Sequence, residues 1–187
     1  EGEWEGVKEF VSISGGTFSS DVTDYLDDGC ELDETGSVVP SDDSVASIGN
    51  KGYHSLEAAI TEAKEGATVT LLKNVTEDVT IPANTTVTLD LNGKTLTNES
   101  SHTITNHGTL TIKDSVGGGT VDNVTHAKGA LVNYGNAILE SGTLTRSKEA
   151  GSSPSTSGGN SWYVVDNNKG TMTVKGGNIV STGKFSS

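Results

Sequence analysis

Four aspartates in the Gly- and Thr-rich part of the chain, Asp90, Asp114, Asp122 and Asp166, are the side chains best suited to chemistry. Two carboxyl groups about 5–10 Å apart can hydrolyse a glycosidic bond, one as acid and the other as base or nucleophile. The four fall in different strand and turn segments, and at best Asp90 and Asp114 come near each other. No third acid, base or aromatic platform accompanies them, so solvated aspartates on strand faces are the expectation. His54, His102, His107 and His126 lack metal-site spacing. The serines have no nucleophile elbow and no partnered histidine. DYLDDGCELDE (24–34) is dense in carboxylates but lacks the alternating Asp and the Gly of a calcium loop, and reads as a solvated acidic loop. No catalytic residue, metal ligand or cofactor is assigned, and the chain is expected not to be an enzyme.

Binding is the better-supported chemistry. RSKEAGSSPSTSGGNSWY (146–163) opens on Arg146, runs through Ser and Gly, and closes on Trp162 and Tyr163. Such a stretch adds nothing to a core, and long loops on rigid scaffolds carry binding. An outward aromatic beside a polar loop suits a sugar ring or a protein partner. Tyr134 is expected beside His107 and Lys169 at equivalent turns, extending the same surface. The candidate binding residues are therefore Trp162, Tyr163, Tyr134, Arg146 and His107.

Composition limits the partners. The 187 residues carry a net charge of −13 and include a single Arg, which argues against nucleic acid and against bidentate recognition of phosphate. No apolar run approaches the roughly 20 residues of a membrane span, so no membrane insertion is expected. Cys30 is the one cysteine, which leaves no internal disulfide. Residues 1–50 hold a net −12 and residues 51–187 a net −1, so the first fifty are expected to form a separate acidic unit or a cap. Glu1 opens inside that acidic stretch, as in a piece cut from a longer protein.

The elements that must position these residues are strands. Polar residues alternate with Val, Ile and Leu in TVTLDLN (86–92), TLTIKD (109–114) and TMTVK (171–175), the period of half-buried strands. NHGTLTIKDSVGGGTVDN (106–123), NYGNAILESGTLTRS (133–147) and NKGTMTVKGGNIVS (168–181) align as Asn, any residue, Gly, strand, Gly turn, strand. A third short strand precedes each Asn, at 102–105, 130–132 and 162–165. Three strands per repeat predict an all-β solenoid of stacked laps; a sandwich with Asn-Gly hairpins is the alternative. Stacking predicts three apolar ladders. Val87 and Leu89 head one, continued by Leu110 and Ile112, Ala137 and Leu139, then Met172 and Val174. The second is Leu96, Val121, Leu144 and Ile179; the third is Ile104, Leu131 and Val165. Asn106, Asn133 and Asn168 are expected to stack at the turns. Outward Thr86, Thr88, Thr109, Thr111, Thr171 and Thr173 invite comparison with ice-binding faces, but Asn136 and Ile138 break the array. SLEAAITEAKEG (55–66) predicts a helix over 55–65, N-capped by Ser55 and ended by Gly66, that covers the open end of the stack. VKEFVSISGGTFSS (7–20) repeats the pattern of TVKGGNIVSTGKFSS (173–187), so 7–20 reads as the last lap of a preceding module and 21–50 as its exit and linker.

These motifs carry a resemblance. GYHSLEAAITEAKEGATVTLLKNVTEDVTIPANTTVTLDLNGKTLT (52–97) resembles the opening of right-handed parallel β-helix proteins of the pectate-lyase type. The NxGTLTI repeats and ISGGTFSSDVTDYLDDG are similar to the repetitive, adhesin-like surface proteins of Gram-positive gut bacteria. The resemblance implies a right-handed parallel β-helix solenoid over 51–187 with one N-terminal capping α-helix, set in a tandem array on an extracellular bacterial surface. It implies adhesion to a host glycan or host protein, immunoglobulin among them, with neighbouring modules of the same chain as further partners. The alternatives are a carbohydrate-active β-helix enzyme, for which the scattered aspartates are a poor match, and a purely structural spacer.

Overall fold

The computed structural model describes residues 11–125, 127–147 and 163–182. An antiparallel pair, β1 (Cys30–Leu32) with β2 (Val38–Pro40), is followed by the antiparallel hairpin β3 (Ala46–Ile48) and β4 (Lys51–Tyr53) and by helix α1 (Leu56–Glu62). The remaining strands form three parallel sheets. The first holds β5 (Ala67–Leu71), β8 (Thr86–Asp90), β11 (Thr109–Lys113), β14 (Asn136–Leu139) and β17 (Thr171–Val174). The second holds β6 (Val75–Thr76), β9 (Thr95–Thr97), β12 (Thr120–Asn123), β15 (Thr143–Arg146) and β18 (Asn178–Ser181). The third holds β7 (Val79–Ile81), β10 (Ile104–Asn106), β13 (Leu131–Asn133) and β16 (Val165–Asn167). From β5 onward the chain visits the first, second and third sheets in that fixed order, one lap after another. The fold is all-β with parallel sheets, apart from one short α-helix and a 3-10 turn at Thr23–Tyr25 among the described residues.

Register follows the sequence repeats. Val87, Leu110, Ala137 and Met172 are paired in line, as are Leu89, Ile112, Leu139 and Val174. Leu96, Val121, Leu144 and Ile179 form the second line, and Val79, Ile104, Leu131 and Val165 the third. The members of the laps through β15 are buried together in one apolar core. Each lap contributes one or two apolar side chains per strand, so a chain poor in large hydrophobes still builds one continuous core. Burying one such Val, Leu or Ile is worth about 1.5–3 kcal/mol.

Asparagine fills the corner after the third sheet. The Asn106 side-chain amide donates to Asn133 Oδ1 at 2.7 Å and to the Asn136 carbonyl at 3.0 Å. Asn133 repeats the pattern toward Asn167 Oδ1 at 2.7 Å and the Thr171 carbonyl at 3.0 Å. Asn106 and Asn133 are fully buried, so these bonds satisfy turn backbone that water cannot reach. The third member is Asn167, not the expected Asn168. The last turn holds one more residue than the two before it, and Lys169 takes that residue up in a left-handed conformation (φ 65°). Gly135 is obligatory at its corner, because a Cβ there would lie 2.1 Å from the Gly108 carbonyl oxygen.

The N-terminal side departs from expectation at the end of its helix. Helix α1 ends at Glu62 with Ala63 as its cap, and Gly66 (φ 76°) instead turns the chain into β5, its amide donating to Thr86 O at 2.8 Å. The N-cap is as expected: Ser55 Oγ accepts the Ala58 amide at 3.1 Å. Glu77 accepts the Leu56 and Glu57 amides at 2.9 and 3.1 Å, tying the helix start to the first lap. Leu56, Ala59 and Ile60 are buried in the core. The boundary placed after residue 50 falls inside the β3–β4 turn. β3 pairs antiparallel with β5, and Ala46 and Tyr53 join the same core.

The asparagine line predicts a specific cost. Asn133→Ala removes the bonds that its side-chain amide donates to Gly135 O, Asn167 Oδ1 and Thr171 O and takes the Oδ1 acceptor from the buried Asn106 amide, so unfolding free energy falls by about 2–4 kcal/mol. Urea denaturation followed by circular dichroism measures it, and a loss below about 0.5 kcal/mol contradicts the ladder's structural role.

Candidate functional site

The aspartates are turn supports. Asp90 lies buried at 5% exposure, where its Oδ1 accepts the amides of Asn92 and Ser115, each at 3.0 Å, and its Oδ2 lies 3.4 Å from Lys113 Nζ. Asp114 accepts the Gly93 amide at 2.8 Å through Oδ1 and the Gly119 amide at 2.7 Å through Oδ2. Burial alone would raise the Asp114 pKa, but the amides of Gly93, Gly119, Gly117 and Val116 outweigh it and hold the carboxyl below the usual carboxylate range. Asp122 is buried and accepts the Ser147 amide and hydroxyl. The expectation of solvated aspartates is thus corrected for Asp90 and Asp122. Tight turns leave inward-pointing amides, and Asp90 and Asp114, at or just beyond a strand end, each reach both their own turn and that of a neighbouring lap. Carboxylates committed in this way are poor acids or bases for a bound substrate.

The acidic loop is likewise engaged. Asp33 accepts from Thr35 Oγ1 at 2.6 Å, Thr35 N at 2.8 Å and Ser37 N at 3.0 Å, which lowers its pKa, the Thr35 hydroxyl contributing most. Asp28 and Asp43 face His54 at 3.3 and 3.6 Å. Among the described residues no three His, Cys, Asp or Glu side chains converge on a common metal position. His102 Nδ1 accepts the Gly129 amide at 2.9 Å, so the neutral ring carries its proton on Nε2. Burial pushes its pKa below the ordinary histidine value, and the Lys128 ammonium acts in the same direction.

One pair of the proposed binding residues comes together. His107 and Tyr134 each follow the corner asparagine of their own lap, and their rings stack with centroids 4.9 Å apart and planes 6° from parallel. That separation matches the roughly 4.8 Å between neighbouring strands, so the stack is a direct product of register. Both side chains are exposed, Tyr134 at 45%. Beside them a shallow depression of about 250 Å³ is lined by Asn84, Thr85, Thr86, His107, Gly108, Thr109, Gly135 and Asn136. Thr86, Thr109 and Asn136 stand in line across β8, β11 and β14, so hydroxyl and amide groups repeat at strand spacing alongside the rings.

The other binding candidates lie elsewhere. Tyr163 is 64% exposed but precedes β16, whereas the turn level with Tyr134 follows it. Five residues of extended chain separate the two ends, about 16 Å. Arg146 closes β15 and is buried at 1% exposure, so its guanidinium is not presented to a ligand. Its register partner one lap earlier is Asn123, itself buried, where a second asparagine corner runs through Asn98 and Asn123. Trp162 lies outside the described residues. Sequence reasoning missed Asn84 and Asn136 as parts of the depression. The available signal was their place at the same turns as His107 and Tyr134.

Comparison with protein-family models, with curated proteins and with solved structures gives no match for this chain.

The His102 geometry fixes a pH dependence. A depressed folded-state pKa means that its contribution to stability is fully present above about pH 6.5. That contribution is lost as pH falls through the folded-state value. Chemical denaturation at pH 7.5 and pH 5.0 is expected to show this loss in the wild type. His102→Gln, which keeps an acceptor but cannot titrate, should reduce the pH dependence; parallel losses in the two proteins would exclude the assignment.

Proposed function

We propose that this chain is a right-handed parallel β-helix module, closed at one end by α1 and the β3–β4 hairpin, that binds a ligand on its surface without transforming it. The reading places it on the outside of a bacterial cell, adhering to a host glycan or a host protein, with immunoglobulin as one candidate. The observation that carries it is the exposed His107–Tyr134 stack beside a depression lined by hydroxyl and amide groups. A sugar ring has apolar faces that pack on aromatic rings and hydroxyls that pair with Thr and Asn, and this surface offers both. The same combination suits the rim of a protein contact. Rigidity adds to its value, because the rings are held by strand register and lose little freedom on binding. A non-enzymatic role is supported by carboxylates whose oxygens are occupied by backbone amides.

Binding to immobilised mucin glycans and to immunoglobulins, read by interferometry, tests the proposal. Tyr134→Ala is expected to raise Kd at least tenfold, about 1.4 kcal/mol, and His107→Ala less. Unchanged affinity in both variants, or no binding to any of these host components, overturns it.

A further inference from the structure

The three parallel sheets end on the same lap, at β16, β17 and β18, and among the described residues no strand pairs with their outer edges. Apolar positions buried in the earlier laps are open here: Val174 is 54% exposed and Ile179 41%. Val180 adds a further exposed apolar side chain beside them at 42%. The chain itself contains a second version of this edge. Val11-Ser12-Ile13-Ser14-Gly15-Gly16-Thr17-Phe18 aligns with Met172-Thr173-Val174-Lys175-Gly176-Gly177-Asn178-Ile179. The alignment is structural too, since Gly16 (φ 106°) and Gly177 (φ 78°) both turn in the left-handed region.

In the first version the edge is covered. Ile13 N donates to the Tyr25 carbonyl at 2.8 Å and Asp27 N to the Ile13 carbonyl at 2.9 Å, placing Tyr25–Asp27 parallel to it. Phe18 N donates to the Gly36 carbonyl and Val38 N to the Gly16 carbonyl, both at 2.9 Å, placing Gly36–Val38 antiparallel. Ile13 and Phe18 become half-buried. In the second version the amides of Thr171 and Lys175 donate inward to β14 and its flanking turn, and those of Asn178 and Thr182 inward to β15 and its flanks. Strand alternation then turns the amides of Val174 and Ile179 outward. These are the positions equivalent to Ile13 and Phe18, so the same backbone groups are offered in the same order.

We propose that the outer edge of β17 and β18 is a docking site for a polypeptide segment of the pattern of residues 21–38. Its Tyr-Leu-Asp strand adds parallel at Val174, and its Gly-Ser-Val strand adds antiparallel at Asn178. Charge favours the match: Asp21, Asp24, Asp27, Asp28, Glu31 and Asp33 crowd that segment, and the terminal lap exposes Lys169 and also Lys175, which pairs with Glu140 at 3.0 Å. Residues 21–38 of a second copy are already engaged by that copy's own Ile13 and Phe18, so the occupant is an additional segment of this pattern. The inference is independent of what His107 and Tyr134 bind.

The test is an extended chain in which the sequence of residues 21–53 follows Ser181, as it follows Ser20 in the native chain. A matched chain carries the same residues in scrambled order. Amide hydrogen exchange by NMR is expected to slow at least tenfold at Val174 and Ile179 in the first relative to the second. Leu110 and Leu131 should be equally protected in both. Equal exchange at Val174 and Ile179, with the earlier laps protected, overturns the proposal. If the extended chain loses protection throughout, the 187-residue protein titrated with a peptide of residues 21–40 decides. Chemical shift changes confined to the edge residues support docking, and none overturns it.

Discussion

Neighbouring laps lie about 4.8 Å apart, and at the corners that distance is too short for a side chain on the inner residue. A Cβ at Gly108 would sit 2.4 Å from the Thr85 carbonyl oxygen, and one at Gly170 would sit 2.5 Å from the Gly135 carbonyl oxygen. The glycine after each corner residue is therefore what lets successive turns nest, and nested turns hold the strands of all three sheets in register. Everything else follows from that register: the apolar lines inside, the asparagine line at the corner, and rings on the surface separated by one strand spacing.

The register was legible because two periodicities agree. Alternation marks which residues of TLTIK or TMTV point inward, and the Asn-x-Gly anchors say which residues of different laps are equivalent. Together they specify Leu110, Ala137 and Met172 as neighbours although 27 and 35 residues separate them. The errors occur where one of the two cues fails. Asn167 and Asn168 are indistinguishable by type, and only the left-handed backbone at Lys169 selects the first. The β3–β4 hairpin was hidden because carboxylates dominate residues 1–50, while Ala46, Ile48 and Tyr53 are too few to show alternation. Arg146 reads as part of the surface because it opens the Ser- and Gly-rich stretch 146–163. Its position in the second sheet, level with Asn98 and Asn123, turns it inward instead.

Polar side chains carry an unusual share of the structure's specificity. A core supplied by one or two apolar residues per strand tolerates many registers of nearly equal apolar burial. Buried Asn and Asp do not, because a shift of one residue would strand their donors and acceptors away from water. Asp90 and Asp114 each join a turn of one lap to a turn of the next. Asn106 and Asn133 do the same at the opposite corner. The residues that look most like catalytic groups in the sequence are thus the ones that the fold can least release for catalysis.

The same logic ties surface chemistry to internal architecture. In a protein whose strands stack in register, any side chain type repeated at equivalent turns becomes a row on the outside, with a spacing set by the backbone. His107 and Tyr134 form such a row, and Thr86, Thr109 and Asn136 form a second beside it. Lap length decides how far each row runs. The left-handed Lys169 lets the asparagine line continue inside, and the residue that follows Asn167 is Asn168, which carries no ring to extend the stack outside. A single inserted residue is therefore taken up without disturbing the core, because the corner absorbs it in one left-handed φ and the next strand resumes its pairing at Thr171.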